Sequence, residues 1–351
     1  MKILYIVPNP AREGGVSRSI SRVVRQLKLM KNDVEVFCPD FEAAAEKKIS
    51  PMERFYAEMQ GEQMQTWTQR CLERIGLVKP DLLVGYFGRN AAFCAVAAGR
   101  LAGLPVVASL RGNDVNLDFF SAMYSSRIDF TIRHATRVTT VSSEMKTKVK
   151  AWYDRDATFI ANSVDKSLFY RDQSGAERLK AKWDLDDRPV VGLLGEFKPA
   201  RGVHLLKELK EELSQVQTVI IGTVRKQNES LVPDWAIRVP YIRNQDDLRA
   251  AYSLCDLVLQ PSVNDGMPNV VLEAMACECT VLASPVGGLC DLIRDGKNGL
   301  LCKDLEAWKT GITGLLLHPR RELGVQARAD TSAPVDEAQS FLKVFKSAYE
   351  G

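Results

Sequence analysis

The sequence predicts an α/β fold of two doubly wound, parallel-sheet domains facing each other across a cleft. Short apolar, strand-like runs alternate with helical stretches along the chain, the signature of a parallel sheet wrapped by helices. That alternation restarts near residue 190, after a charged stretch from Arg171 to Asp187 that reads as a linker or connecting helix. A length of 351 residues with 46% apolar content supplies core for about two domains.

Taken in order, the chain opens with a strand at Ile3–Val7, a loop holding Gly14 and Gly15, and a helix from Val16 to Lys28. Strands follow at Val34–Cys38, Leu82–Tyr86, Val106–Leu110 and Arg137–Val141, each a run of β-branched or apolar residues. The polar, weakly periodic segment Phe41–Arg74 reads as helices on the rim of this domain. In the second half, strands fit Pro189–Gly195, Thr218–Gly222, Ile237–Val239, Leu257–Gln260 and Thr280–Ala283, with helices between them. A last helix spans Asp336–Tyr349. The implied division is 1–170, 171–335, and a C-terminal segment 336–351 packing back on the first domain. Ligands of such sheets sit at the carboxyl ends of the strands, so two facing domains imply two ligands meeting in the cleft.

Composition excludes several classes. Forty-seven basic against 44 acidic side chains give a formal charge of +3, no bulk case for a nucleic-acid partner. Eight cysteines in a chain of this length are too sparse for a disulfide scaffold and read as buried thiols of a reducing compartment. Cys277 and Cys279 form the close pair, and His134, His204 and His318 are scattered, so no metal site is expected. The apolar run at Met1–Pro8 is too short for a signal peptide and no segment is long enough for a bilayer span, which points to the cytoplasm.

Three stretches carry chemistry. Gly14-Gly15 lies between the first strand and helix, where glycine admits close backbone approach and the helix start offers N–H groups to an anion; a plain tight turn is equally open. Gly195 to Gly202 follows a strand and carries Lys198 and Arg201, a mobile point charge and a planar fork able to clamp a diphosphate, or a solvated charged loop. Most informative is Pro261–Ala276, where a glycine–proline loop containing Asp265, Gly266, Met267 and Pro268 runs into a helix at Asn269 and Val270. The first N–H groups of that helix are available to a phosphate. Glu273, one turn inside among apolar neighbours, needs hydrogen-bond donors, for which the vicinal hydroxyls of a ribose are suited.

Asp265 and Glu273, with seven residues between them, resemble the E-x7-E signature of the retaining, GT-B fold glycosyltransferases of family 4 (group 1). Gly287-Gly288 with Asp291, the turn Gly296–Leu301, and Asn162-Ser163-Val164-Asp165 are similar to further motifs of that family in the same order. The resemblance implies two Rossmann-like domains and transfer of a sugar from a nucleoside diphosphate donor to a glycan or lipid-linked acceptor, in cell-surface polysaccharide or glycolipid assembly. It implies that Glu273 holds the ribose, Asp265 the donor sugar, and Lys198 and Arg201 the diphosphate, helped by Gly15, Gly195 and the helix start at Asn269. No cofactor and no metal are implied, because cations and dipoles stabilise the leaving group, and the departing phosphate itself takes the acceptor proton. Domain closure is expected to exclude water.

The chain departs from the family pattern in places. Asp265 is one carbon shorter than the usual glutamate, and Glu196 stands where the phosphate loop usually has arginine, which moves that role to Lys198. Where a histidine usually contacts the donor sugar, the chain has Arg111, within an acceptor-side loop that includes Asn113 and Asp114. Arg111 either binds an anionic group on donor or acceptor or pairs with Asp114. The aromatic run Phe119–Tyr124 either lines an acceptor groove or is core. The helix Val16–Lys31 carries Arg18, Arg22, Arg25, Lys28 and Lys31 and no acid, as expected of a solvated face or of peripheral contact with an anionic membrane. The competing functions are a catalytically silent sugar-nucleotide-binding protein of the same fold and a nucleotide-sugar epimerase, the latter disfavoured by the dispersed histidines.

Overall fold

A computed structural model describes residues 1–8, 15–39 and 62–351, with nothing stated of the side chains of residues 15, 16 and 62. The chain forms two compact units, Met1–Asn162 with Pro334–Gly351, and Ser163–Ala333.

The first unit alternates β1 (Lys2–Ile6), α1 (Gly15–Leu29), β2 (Asp33–Phe37), α2 (Glu62–Val78), β3 (Leu82–Tyr86), α3 (Ala91–Ala102), β4 (Val106–Leu110), α4 (Ser125–His134), β5 (Arg137–Thr140), α5 (Ser143–Tyr153) and β6 (Ala157–Phe159). Its strands run parallel in the order β2-β1-β3-β4-β5-β6. All five residues of both β3 and β4 are buried, as strands covered by helices on both faces require. Winding reverses between β1 and β3, which makes their carboxyl ends the switch point of this sheet.

The α1 helix turns Ile20, Val23, Val24 and Leu27 inward at helical spacing. They share a core with Phe341, Val344, Phe345 and Ala348 of the C-terminal helix, here α11 (Pro334–Glu350). The Phe345 ring meets Tyr5 of β1 edge-on at 6.2 Å. Each fully buried phenylalanine contributes roughly 1.5–3 kcal/mol relative to exposure. Arg22 donates from Nε to Glu337 at 2.9 Å, with the Glu337 side chain fully buried.

The second unit contains α6 (Gln173–Lys182), β7 (Val190–Phe197), β8 (Gln217–Val224), β9 (Ile237–Val239), α7 (Gln245–Leu254), β10 (Leu257–Gln260), α8 (Asn269–Ala276), β11 (Thr280–Ala283), β12 (Leu300–Leu301), α9 (Leu305–Leu317) and α10 (Arg321–Asp330). Its parallel order is β12-β11-β10-β7-β8-β9, with the switch point between β7 and β10. The charged stretch after Arg171 is a helix belonging to this unit. Asp172 caps α6 by accepting the Gly175 N–H at 2.9 Å and also pairs with Arg249 of α7.

Several elements differ from the sequence expectation. The short edge strands β6 and β12 have no apolar run long enough to announce them; in β6 only Ala157 is buried. β7 continues past Gly195 to Phe197, because Glu196 and Phe197 keep their register with Thr223 and Val224 of β8. Of the rim segment Phe41–Arg74, α2 begins at Glu62 and the part before it lies outside the described residues.

Candidate functional site

The loops leaving β7 and β10 carry the chemistry of the second unit, and both emerge at its switch point. Gly195 stands at φ +115°, a conformation that favours glycine, and faces Val270 at the start of α8. Beyond it Lys198 and a 3-10 turn, Pro199–Arg201, bend toward the β10 loop, where the Val263 N–H donates to Ala200 O at 3.1 Å. The β11 loop completes the cradle from the other side. Gly287 sits at φ +50°, and a Cβ on it would fall 1.8 Å from the Asp265 carbonyl oxygen, so no other residue fits beside this loop. The Gly288 N–H donates to Gly266 O at 2.7 Å.

Within this frame Arg201 Nη1 donates to Asp265 Oδ2, joining two residues that the sequence had assigned to different parts of a ligand. Gln260 and Ser262 lie beside the same oxygen at 3.4 and 3.3 Å. Burial pushes the Asp265 carboxyl above its usual pKa, opposed by the neighbouring Arg201 charge and the Ser262 hydrogen bond. Lys198 Nζ pairs with Glu196 at 2.6 Å, and Arg225 pairs with its other oxygen at 2.6 Å. Burial opposes ionisation of Glu196, yet these two cations hold its pKa below the usual value.

The α8 helix starts after Pro268 with no side-chain cap, so its first N–H groups face the loop side without one. Met267 and Pro268 are buried, and Asn269 and Val270 half-buried. Glu273, only 6% exposed, accepts the Tyr252 hydroxyl at 2.7 Å. Tyr252 comes from α7, 21 residues away, and no sequence signal marks it as the donor that this carboxylate requires. The crevice bounded by Gly195, Glu196, Arg201, Gln260 and Pro261 is about 20 Å³, so these loops do not by themselves enclose a nucleotide.

In the first unit Gly14 lies outside the described residues and Gly15 begins α1. Arg111 leaves β4 and lays its guanidinium over the Tyr86 ring, 4.8 Å from the centroid. Its Nη2 donates to Ser19 Oγ at 3.0 Å and to Asn162 Oδ1. The expected alternative, an ion pair with Asp114, is not formed. Asp114 is fully buried and accepts the backbone N–H groups of Gly88, Arg111, Gly112 and Val115. It shapes the loop and has no oxygen left to offer a substrate, which removes it from the acceptor-side set. Burial drives its pKa up, against the pull of those N–H groups and of the Arg111 charge. Asn113 is exposed.

The aromatic run divides. Phe119 stacks on Trp152 at 4.8 Å, Phe120 is 71% exposed, and Ser121 to Met123 line a cavity of about 1050 Å³ with Met64, Phe93 and Phe130. The basic face of α1 is also narrower than its spacing implied, since Arg22 points inward to Glu337. Arg25, Lys28 and Lys31 stay exposed, with Leu29 68% exposed among them. Among the described residues no cluster of three or more His, Cys, Asp or Glu side chains is placed to hold a metal ion, and no helix is long and apolar enough to cross a membrane.

Two doubly wound parallel sheets, the second with cations and a helix start at its switch point, are the architecture of the GT-B fold. A family model described as "Glycosyltransferase Family 4" matches residues 13–168, and one described as "Glycosyl transferases group 1" matches residues 188–318. The chain belongs to that family. It is 25% identical, over 91% of its length and 90% of the relative's, to the GDP-mannose-dependent alpha-(1-6)-phosphatidylinositol monomannoside mannosyltransferase of Mycolicibacterium smegmatis. In fold it is similar to sucrose-phosphate synthase from Thermosynechococcus elongatus (TM-score 0.81, 17% identity, 100% of both chains covered). It is likewise similar to HepE from Anabaena in complex with UDP-glucose (TM-score 0.77, 19% identity, 99% of this chain and 100% of the other covered).

Proposed function

We propose that this protein transfers a sugar from a nucleoside diphosphate donor to a glycan or lipid-linked acceptor, with retention of configuration and without a bound metal, in the assembly of a cell-surface polysaccharide or glycolipid. One observation carries the reading: Lys198, Arg201, the uncapped start of α8 and the buried Glu273 converge at the switch point of the second sheet.

Each residue has a physical task. Arg201 presents a planar fork to the diphosphate and Lys198 a mobile charge, and both leave their present carboxylate partners to do so. The α8 dipole adds positive potential where the leaving group gains charge. Asp265, released by Arg201, accepts hydroxyls of the donor sugar, while Glu273, oriented by Tyr252, accepts those of the ribose. The departing phosphate oxygen receives the acceptor proton, so no side-chain base is assigned. A mannosyltransferase relative named for GDP-mannose and a fold neighbour holding UDP-glucose support a sugar-nucleotide donor and leave its base open. The lipid acceptor in the relative's name and the exposed Arg25, Lys28, Leu29 and Lys31 support contact with an anionic membrane. Equal cosedimentation with neutral and anionic vesicles would discard that part.

The test is a panel of UDP-, GDP- and ADP-sugars with glycan and lipid acceptors, run with and without EDTA and read by mass spectrometry and by NMR of the anomeric centre. The expected product keeps the donor's configuration and forms at the same rate with EDTA. Binding without turnover across the panel would favour a silent sugar-nucleotide-binding protein, a reading to which the Arg201–Asp265 pair lends support if nucleotide leaves it closed.

A further inference from the structure

We propose that Arg328 is a positioning residue for the nucleotide donor. It fastens residues 165–169, on the segment by which the chain enters the second unit, to the end of α8, and through Phe169 and Tyr252 it sets Glu273 against the ribose. The inference rests on the transferase reading above and adds to it a residue that touches no ligand.

Arg328 leaves α10 half-buried and spends its guanidinium on backbone carbonyls from two other parts of the unit. Nη1 donates to Ala276 O, the end of α8, and to Phe169 O at 2.8 Å, while Nη2 donates to Lys166 O at 3.2 Å. The last four carbonyls of a helix have no partner inside it, and a cation there also meets the negative end of the helix dipole. The carboxylate of Glu278 stands 3.9 Å from Nε, beyond hydrogen-bond reach, so the three carbonyls rather than an ion pair fix the side chain.

The carbonyls of Lys166 and Phe169 belong to a well-formed turn. Asp165 Oδ1 accepts the Ser167 N–H at 3.0 Å, and Asp165 O accepts those of Leu168 and Phe169 at 3.1 and 3.0 Å. The buried Phe169 ring lies edge-on to Tyr252, with 6.0 Å between centroids. Tyr252 is itself fully buried, and its hydroxyl is the one that Glu273 accepts at 2.7 Å. One guanidinium thus holds both the backbone of the residue that backs Tyr252 and the end of the helix that carries Glu273. Glu273 lies within one turn of Ala276, so a shift of either part changes where its carboxylate stands. The loop that starts α8 is held separately, by the Gly288 N–H on Gly266 O at 2.7 Å, so the diphosphate side should not move with it.

The test is calorimetry of UDP, GDP, ADP and inorganic pyrophosphate on wild type, Arg328→Met, Phe169→Leu, Tyr252→Phe and the double variants that add each of the first two changes to Tyr252→Phe. Melting temperatures confirm that each variant folds. Where Arg328→Met does not fold, Arg328→Lys, which keeps a donor without the fork, takes its place. Arg328→Met and Phe169→Leu should each weaken the nucleotide that wild type binds by about 2- to 10-fold, the range of one ordinary hydrogen bond, and leave pyrophosphate unchanged. In the Tyr252→Phe background either change should cost less than about twofold more, because residues acting through one contact are not additive. Unchanged nucleotide affinity in either single variant, whatever its melting temperature, would overturn the proposal. So would equal weakening of pyrophosphate, or a full loss retained in the Tyr252→Phe background. If wild type binds none of the nucleotides, the transferase reading fails separately, and a crystal structure of the folded Arg328 variant decides the positioning role. A Tyr252 hydroxyl displaced from Glu273 supports it, and one still at 2.7 Å refutes it.

Discussion

Glu273→Gln isolates the ribose anchor, because the amide has the shape of the carboxylate and its Oε1 still accepts the Tyr252 hydroxyl now bonded at 2.7 Å. At 6% exposure the side chain is shielded from water, so the change alters hydrogen-bond strength rather than packing. Bonds to a charged acceptor contribute about 1.5–3 kcal/mol and neutral ones about 0.5–1.5 kcal/mol, so two ribose hydroxyls lose about 2–3 kcal/mol together. That is a roughly 30- to 150-fold weaker Kd for UDP or GDP. Calorimetry on the folded variant is the assay, with inorganic pyrophosphate as internal control, since it has the phosphates and lacks the sugar. The expected result is weakened nucleotide and unchanged pyrophosphate. Equal weakening of both, or of neither, would refute the placement of Glu273 on the ribose.

Other outcomes follow from neighbouring contacts. Arg201→Ala should weaken nucleoside diphosphate by about tenfold or more while sparing the free nucleoside, since a charged bond is lost only with the former; parallel losses in calorimetry would displace Arg201 from the phosphate. Gly287→Ala puts a methyl group 1.8 Å from the Asp265 carbonyl oxygen, so the loop must move. Its kcat should fall more than its melting temperature, and wild-type kcat would show that the β11 loop does not position Asp265. Asp172→Asn keeps an acceptor for the α6 cap but loses the charge paired with Arg249. The Gly175 N–H and, beyond it, Arg249 hold the Asp172 pKa below its unfolded value, against the effect of burial. Its stabilisation is therefore complete above about pH 4 and lost as pH falls through the folded pKa. The variant should melt about 2–4 °C lower at pH 7, for a loss of about 1 kcal/mol, and the gap should close in acid; a gap that widens below pH 4 would contradict the sign.

The strands were legible because each buried strand is a compact apolar run: β3, β4, β9, β10 and β11 have the boundaries their sequences suggest. The start of α8 at Asn269 was equally plain, since a glycine–proline loop can only be followed there by a fresh helix. Illegible were the edges β6 and β12, whose pairing comes from a neighbour rather than from their own composition. The partners of the site residues were also hidden. Tyr252 on Glu273, Ser19 and Tyr86 on Arg111, and Glu337 on Arg22 are contacts across 21, 92, 25 and 315 positions, respectively, and no local pattern encodes them.

By itself the sequence determined the two doubly wound sheets, the glycine loops at the switch point of the second and which charged residues stand in those loops, because periodicity and backbone restriction act over a few residues. Tertiary structure alone decided what each charge faces: that Arg201 closes on Asp265, that Asp114 is spent on backbone N–H groups, and that Arg111 lies over Tyr86 and turns to Ser19 and Asn162. Electrostatic partnership depends on distance in space, and only folding brings residues from separate strands within reach of one another.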